Sequence, residues 1–320
     1  MILADKKIGV VCGGESEERE VSLKSGQAIY KALKDEGLDV VKMDVDRKML
    51  KKIEREKIDV AILALHGGWG EDGTIQAVCK LIEIPFTGPD VLGSALALNK
   101  VMAKKIFKSE SIPTPPWKVI SQDEITREGY LDNFIKKLGE EFGLPVVLKP
   151  ALQGSSVGLK VINKKMSLKS SIKESMKYGK CLLVEKYLRG TEVTVGILGL
   201  GPDLEPLPVV EIVPKRGVYD FKSKYTKGQT QYIVPARLPK KLYEKAQLLA
   251  LQAFKALNLD IVARIDMLIE EDRNLYVLEA NTNPGMTATS LLPKAALAAG
   301  YEFPKLLRRM IELAMKRAAQ

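Results

Sequence analysis

Apolar positions change period along this chain, and the changes mark its elements. Lys7–Cys12 is a short apolar run closed by Gly13-Gly14. It is followed by an acidic loop, Glu15 to Glu20, and a helical pattern from about Val21 to Glu36 that ends at Gly37. Leu38–Val45 and Val60–Leu65 read as two more strands around a helix. The order β-α-β-α-β predicts an open parallel sheet with right-handed crossovers, whose ligands collect beyond the carboxyl ends of its strands. Gly13-Gly14-Glu15 and His66-Gly67-Gly68 stand at such ends. Gly93–Glu110 is predicted as one helix, and Pro113, Pro115 and Pro116 then punctuate the chain. A second α/β unit follows. It has a helix around Asp132–Phe142, strands at Pro145–Lys149, Leu159–Ile162 and Cys181–Lys186, and a helix near Ser167–Lys177. Thr191–Leu198, Val209–Pro214 and Gln231–Val234 read as antiparallel strands around the polar stretch 215–230. Lys240–Leu257 is an amphipathic helix, and Pro304–Ala318 a closing one.

The most informative pattern lies at Val262–Met286. Two alternating runs, Arg264–Ile269 and Leu275–Asn281, flank the polar loop 271–274, the signature of a β-hairpin. A four-residue loop sets Asp266 across from Glu279 and Arg264 across from Asn281. It puts Ile265, Met267 and Ile269 on one face with Tyr276, Leu278 and Ala280. Two opposed carboxylates repel unless a cation lies between them. The hard oxygens of Asp266, Glu279 and Asn281 suit Mg²⁺, which binds phosphate oxygens alongside one or two carboxylates. The alternative is a solvated polar face on which Arg264 neutralises the acids.

Composition narrows the classes. The chain has 320 residues and 46% apolar content, with no apolar run of membrane-spanning length. Its start lacks the pattern of a signal peptide. Cys12, Cys79 and Cys181 are too few and scattered for a disulfide framework or a zinc site, so a reduced, cytoplasmic protein is expected. The net charge of +10 admits nucleic acid or an acidic substrate such as ATP. Lysines interspersed with glutamates along helices, without interleaved aromatics, favour solvated faces over a nucleic-acid groove.

Two loops compete for phosphate. Gly68-Trp69-Gly70-Glu71-Asp72-Gly73 matches G-x-G-x-x-G, but Glu71 and Asp72 would aim negative charge at a pyrophosphate. Lys149-Pro150, followed by Gly154-Ser155-Ser156-Val157-Gly158, places a lysine at a strand end before a loop of N–H and hydroxyl donors. Glu185-Lys186-Tyr187-Leu188 and Glu192 sit where one unit gives way to the next.

In order, Gly13-Gly14 with Glu18-Arg19-Glu20-Val21-Ser22, the His66–Gly73 segment, the Lys149 loop, Glu185–Leu188, Lys224-Tyr225, Arg264-Ile265-Asp266, Glu279–Thr287 and Ser290-Leu291 resemble the D-alanine–D-alanine ligase family of the ATP-grasp superfamily. The resemblance covers about residues 8–303. It implies an α/β, three-domain ATP-grasp fold with an N-terminal open parallel sheet and two α+β domains clasping ATP. The units would be 1–99 (substrate-binding), 100–186 (central ATP-grasp) and 187–320 (C-terminal ATP-grasp and catalytic).

The resemblance further implies an ATP-dependent carboxylate–amine ligase making the D-alanyl-D-alanine dipeptide for peptidoglycan through an acyl phosphate. Lys100, Lys149, Glu185, Lys186, Glu192 and Lys224 would bind ATP. Asp266, Glu279 and Asn281 would hold two Mg²⁺, or Mn²⁺, ions. Glu18, Ser155 and Tyr225 would address the first D-alanine and the closing loop. Arg264 and the Gly285 N–H would meet the oxyanion, and His66, Ser290 and Leu291 the substrates. Tyr225 favours a D-alanine amine over D-lactate as second substrate and leaves D-serine open. A homodimer is the family's expectation. The rival readings are a mixed D-alanine–D-lactate or D-alanine–D-serine ligase, another ATP-grasp ligase, a silent nucleotide binder and a nucleic-acid binder.

Overall fold

The computed structural model describes residues 3–154, 157–215, 228–271 and 274–320. The chain begins with β1 (Ile8–Gly13), α1 (Arg19–Asp35), β2 (Val40–Val45), α2 (Met49–Glu56) and β3 (Val60–Leu63). The three strands form a parallel sheet in the order β2-β1-β3. β1 and β3 are buried throughout, so their sequences are continuously apolar rather than alternating. The period of two still sorts them. Ile8, Val10, Cys12 and Ile62 face α1 and the C-terminal helix Phe303–Ala318, whereas Val11, Ala61 and Leu63 face Ile53, Ile75 and Phe86. The chain turns from one side of β1 to the other after β2. The Gly13-Gly14 and His66–Gly68 turns therefore open at a topological switch point.

Gly93–Glu110 is not one helix. α3 (Thr74–Leu81) is followed by α4 (Val91–Leu98) and α5 (Lys100–Ser109), separated at Asn99. Asn99 adopts an extended backbone, and its side chain accepts from Met102 N at 3.2 Å. A local cap thus competes with helix continuation and wins. α5 buries Ala103 and Phe107 against the third sheet.

The second sheet has the order β4-β7-β5-β6, all antiparallel, with β4 (Trp117–Ser121), β5 (Val146–Pro150), β6 (Lys160–Ile162) and β7 (Cys181–Lys186). Helices Tyr130–Glu141 and Lys165–Ser175 cover one face through Phe134, Leu138, Leu168 and Ile172. By strand alternation Val147, Lys149 and Glu185 emerge on the other.

The third sheet runs β11-β10-β8-β12-β13, with β9 on β8. Its strands are β8 (Gly190–Gly199), β9 (Glu205–Pro206), β10 (Val210–Pro214), β11 (Thr230–Ile233), β12 (Ile261–Glu270) and β13 (Leu275–Asn281). Helix Lys240–Ala256 packs Ala246, Ala250 and Phe254 on Val195, Ile265 and Met267.

The β12–β13 hairpin has the register expected near the site: Arg264 faces Asn281 and Asp266 faces Glu279. It departs further out, because a bulge between Asp266 and Met267 pairs Met267 with Val277 and Ile269 with Leu275. The one-residue shift exchanges the faces of the outer half. Leu275 and Val277 enter the core, and Tyr276 and Leu278, expected there, do not. Leu278 lies instead beside Glu279 on the cleft wall.

Candidate active site

Across β8, β12 and β13 two transverse rows carry polar side chains. One is Thr194–Asp266–Glu279 and the other Gly196–Arg264–Asn281. Asp266 accepts from Arg264 Nε and Nη2, both at 2.9 Å, from Thr194 Oγ1 at 2.6 Å and from Asn281 Nδ2 at 3.0 Å. Arg264 does neutralise Asp266, but not on a solvated face, since their side chains are only 12% and 11% exposed. Lys100 Nζ lies 3.7 Å from Glu279 and donates to Gln153 O at 2.6 Å. Two carboxylates are thus held side by side in a cleft by two cations, at a desolvation cost that packing alone does not require.

The donor chemistry fits a divalent cation. Asp266 and Glu279 offer carboxylate oxygens, and Asn281, its amide nitrogen occupied, offers its oxygen. Among the described residues no group of three or more Asp, Glu, His or Cys side chains forms a protein cage. A Mg²⁺ ion does not need one, because it keeps waters and shares phosphate oxygens with one or two carboxylates.

On one side of these rows lies a cleft between the second and third sheets. Val147, Val161, Leu188, Leu268 and Leu278 line it with apolar surface, and Lys100, Lys149, Glu185, Glu192, Asp266 and Glu279 with charge. Lys186, an exposed residue, lines it too. Lys149 Nζ lies 2.5 Å from Glu185 Oε2. Burial works against the Lys149 ammonium, yet Glu185 and Glu279 outweigh it and raise its pKa. Burial likewise pushes Glu185 up, and the Lys104 and Lys149 ammonium groups reverse it, holding the carboxyl below its usual range. A flat apolar slot ending in lysines and paired acids is what a nucleoside polyphosphate requires.

On the other side is a cavity of about 530 Å³ at the carboxyl ends of β1 and β3. Glu18, His66, Glu71, Arg264, Asn281, Gly285, Ser290 and Leu291 are among its lining residues. Glu18, buried at the start of α1, occupies space that two glycines leave open. A Cβ on Gly67 or Gly154 would stand 2.8 or 2.5 Å from its Oε2. Burial, and then the charge of Glu18, pushes Glu71 up to about 8. His66 is buried, with Nδ1 2.9 Å from Asn283 O and Nε2 3.1 Å from Ser25 Oγ. A carbonyl only accepts, so Nδ1 carries the proton and Ser25 donates to Nε2. Burial also lowers the His66 pKa, keeping the ring neutral. Both nitrogens are therefore committed to the fold, and His66 shapes the cavity rather than exchanging protons in it. Ser290 stands at the N-cap position of helix Leu291–Ala298, without a side-chain hydrogen bond to the helix. Its Oγ accepts from Thr287 N at 3.0 Å, so a helix N-terminus, a favourable place for a carboxylate, stands at the cavity wall.

Of the residues expected from the sequence, Lys100, Lys149, Glu185, Lys186, Glu192, Asp266 and Glu279 gather in the cleft. Glu18, His66, Arg264, Asn281, Gly285, Ser290 and Leu291 gather in the cavity. Ser155, Lys224 and Tyr225 lie outside the described residues. Three contributors had only weak signals. Thr194 sits inside an alternating strand, Glu71 inside a rejected phosphate motif, and Lys104 one helical turn after Lys100.

The chain matches known proteins over nearly its whole length. The family model for the D-ala D-ala ligase C-terminus matches residues 106–312, and that for the N-terminus matches 7–52 and 47–89. The chain belongs to the D-alanine–D-alanine ligase family. It is 45% identical over 312 residues to the D-alanine–D-alanine ligase of Pelotomaculum thermopropionicum, covering 97% of each chain. Against that of Desulforamulus reducens it is 46% identical over 311 residues, covering 97% of this chain and 99% of the other. Among solved structures, the Bacillus anthracis D-alanine–D-alanine ligase complexed with ATP superposes with a TM-score of 0.83 at 33% identity, covering 98% of this chain and 99% of that one. The VanG D-Ala:D-Ser ligase of Enterococcus faecalis gives 0.81 at 27% identity, covering 97% and 99%. As in these ligases, the sheets form an ATP-grasp fold. Among the described residues no helix is long and apolar enough to cross a membrane.

Proposed function

We propose that this family member is an ATP-dependent ligase that joins two D-alanine molecules in the cytoplasm, releasing ADP and phosphate. One observation carries the reading. The Asp266–Glu279 and Arg264–Asn281 rows are a common wall of the apolar cleft and the polar cavity, so a nucleotide in one would present its terminal phosphate to a carboxylate in the other.

In this account the adenine lies between Val147, Leu268 and Leu278, with Glu185 and Glu192 meeting its amine and ribose. Lys100 and Lys149, with Lys224 from the segment beyond Lys215, neutralise the phosphates. Asp266, Glu279 and Asn281 would hold Mg²⁺, which when bound neutralises charge on the transferring phosphoryl group. Glu18 holds the first D-alanine's ammonium, and by the family resemblance Ser155 and Tyr225 serve the same substrate. That substrate's carboxylate oxygen attacks the γ-phosphorus, ADP leaves, and an acyl phosphate forms. The second D-alanine is anchored by its own carboxylate at Ser290 and Leu291. Its amine attacks the acyl carbon, and phosphate leaves with the bridging oxygen. Arg264 and the Gly285 N–H stabilise the tetrahedral oxyanion, where one such donor is worth about 10²–10³ in kcat.

Three functional units, 1–99, 100–186 and 187–320, in a homodimer complete the reading. The test is phosphate and dipeptide release from MgATP with D-alanine alone, then with D-serine or D-lactate added. Release of D-alanyl-D-alanine from D-alanine alone is expected. Turnover only when D-lactate or D-serine is added would instead support a mixed ligase.

A further inference from the structure

Behind the nucleotide cleft lies a buried lysine that no part of the ligase account uses. Lys104, on α5 one turn after Lys100, is only 1% exposed and does not line the cleft. Its Nζ lies 2.6 Å from Glu185 Oε1, 2.5 Å from Thr114 Oγ1 and 3.2 Å from Pro115 O. The ammonium donates hydrogen bonds to Thr114 and Pro115 and holds Glu185 Oε1, which has no hydrogen-bond donor of its own, as a close ion pair. The other Glu185 oxygen receives Lys149 at 2.5 Å. Burial pushes the Lys104 pKa down, Glu185 opposes this and the Lys149 charge adds to it. With all three groups ionised, two ammonium groups share one buried carboxylate and the cluster carries a net charge of +1.

The cluster is also tied to the site's acidic hairpin. Thr114 Oγ1, which accepts from Lys104, donates to Val277 O at 2.8 Å, and Val277 N donates to Pro113 O at 2.8 Å. Val277 lies two residues before Glu279 and is the partner of Met267 at the bulge. One lysine thus joins Glu185 of the second sheet to the strand of the third sheet that carries Glu279.

We infer that Lys104 is a positioning residue for the nucleotide's phosphates: by drawing on the Glu185 carboxylate from behind, it weakens the hold of Glu185 on Lys149, whose side chain lines the cleft. Without it, Glu185 has Lys149 alone. The pair becomes neutral and the Lys149 ammonium is drawn onto a buried carboxylate, as a single buried charge with one partner requires. A polyphosphate then loses attraction through Lys149, whereas the base, held mainly by apolar walls that Lys104 does not touch and only in part by Glu185, loses less.

This inference rests on the proposed nucleotide site, and its test compares ATP with adenosine. Lys104→Met keeps an unbranched side chain one atom shorter and removes the charge. Calorimetry with MgATP, without amino acid, should show affinity about tenfold weaker than wild type, a loss of about 1.4 kcal/mol. Adenosine, which meets Glu185 but neither phosphate lysine, should weaken no more than about threefold, clearly less than ATP. In turnover assays KM for ATP should rise tenfold, with KM for D-alanine within twofold. Equal losses for ATP and adenosine, or none for either, would show a packing role and overturn the inference. Should Lys104→Met not fold, Thr114→Val keeps every charge and frees Lys104 from one acceptor. It should weaken ATP about threefold while sparing adenosine, and unchanged ATP affinity would overturn the inference. Failure of the ligase reading has a different signature: wild-type protein that binds MgATP but yields no dipeptide.

Discussion

Replacing Asp266 by asparagine changes one atom and tests the polar rows at their centre. The carboxylate accepts four donors: two from Arg264, one from Thr194 and one from Asn281. An amide has one oxygen. Placed at Oδ1, it keeps Arg264 Nε and Thr194, but its nitrogen then faces Arg264 Nη2 and Asn281 Nδ2, both donors. Asn281 can flip its amide and present oxygen. Arg264 Nη2 cannot adapt, so one charge-assisted hydrogen bond is lost, about 1.5–3 kcal/mol. Relief of the repulsion between Asp266 and Glu279 returns some of this, up to about 1 kcal/mol. The folded state should therefore lose about 1–2 kcal/mol and melt a few degrees lower. Activity should fall far more, because the row loses a carboxylate that would hold the cation and the partner that orients Arg264. The expected drop in kcat is at least about 10²-fold, partly recovered by raising Mg²⁺. The assay is ADP release at saturating D-alanine and ATP over a Mg²⁺ series, beside thermal melts of the same preparation. A kcat within threefold of wild type, with the small melting shift present, would refute the metal assignment.

Other expectations follow from the same geometry. Arg264→Lys keeps the charge but not the two-pronged contact with Asp266 and should lower kcat about 10²-fold, with KM for ATP nearly unchanged in steady-state assays. Gly154→Ala brings a Cβ within 2.5 Å of Glu18 Oε2 and should raise KM for D-alanine at least tenfold while the melting temperature holds. Asn99→Ala removes the cap of α5 and should cost about 1 kcal/mol of stability, read by denaturant titration. Glu71, raised to about 8 mainly by burial, binds a proton in the folded protein that the unfolded chain has released above its ordinary carboxyl range. Wild-type stability should therefore fall as pH rises between about 4.5 and 8. Glu71→Gln lacks this loss, so melts at successive pH values should diverge in its favour across that window and run parallel above it.

Much of this was readable from the chain because the site rests on local rules. Period-two alternation and loop length alone set Asp266 against Glu279 and Arg264 against Asn281, and the register bears that out. The same rule failed a few residues further on, because a bulge leaves no mark in the alternation of Leu275–Leu278, all four large and apolar or aromatic. Asn99 shows a second limit: an asparagine inside a helical pattern is either a passenger or a cap, and only the flanking backbone decides. Lys104 shows a third. Its spacing from Lys100 is that of a lysine on an exposed helix face, and its burial depends on Glu185, far along the chain. Clusters of this kind are written in tertiary distance rather than in sequence period. The roles of Ser155, Lys224 and Tyr225 lie in segments outside the described residues and stand on family resemblance.

The most direct test of the whole account follows oxygen. D-alanine labelled with ¹⁸O in both carboxylate positions is incubated with the enzyme and unlabelled MgATP, and the released phosphate is analysed by mass spectrometry. If the carboxylate takes the γ-phosphoryl group and the amine then displaces phosphate, each phosphate carries one ¹⁸O for every dipeptide formed. Phosphate free of label, with ATP consumed, would mean that water and not a D-alanine carboxylate receives the phosphoryl group, and would contradict the ligase mechanism.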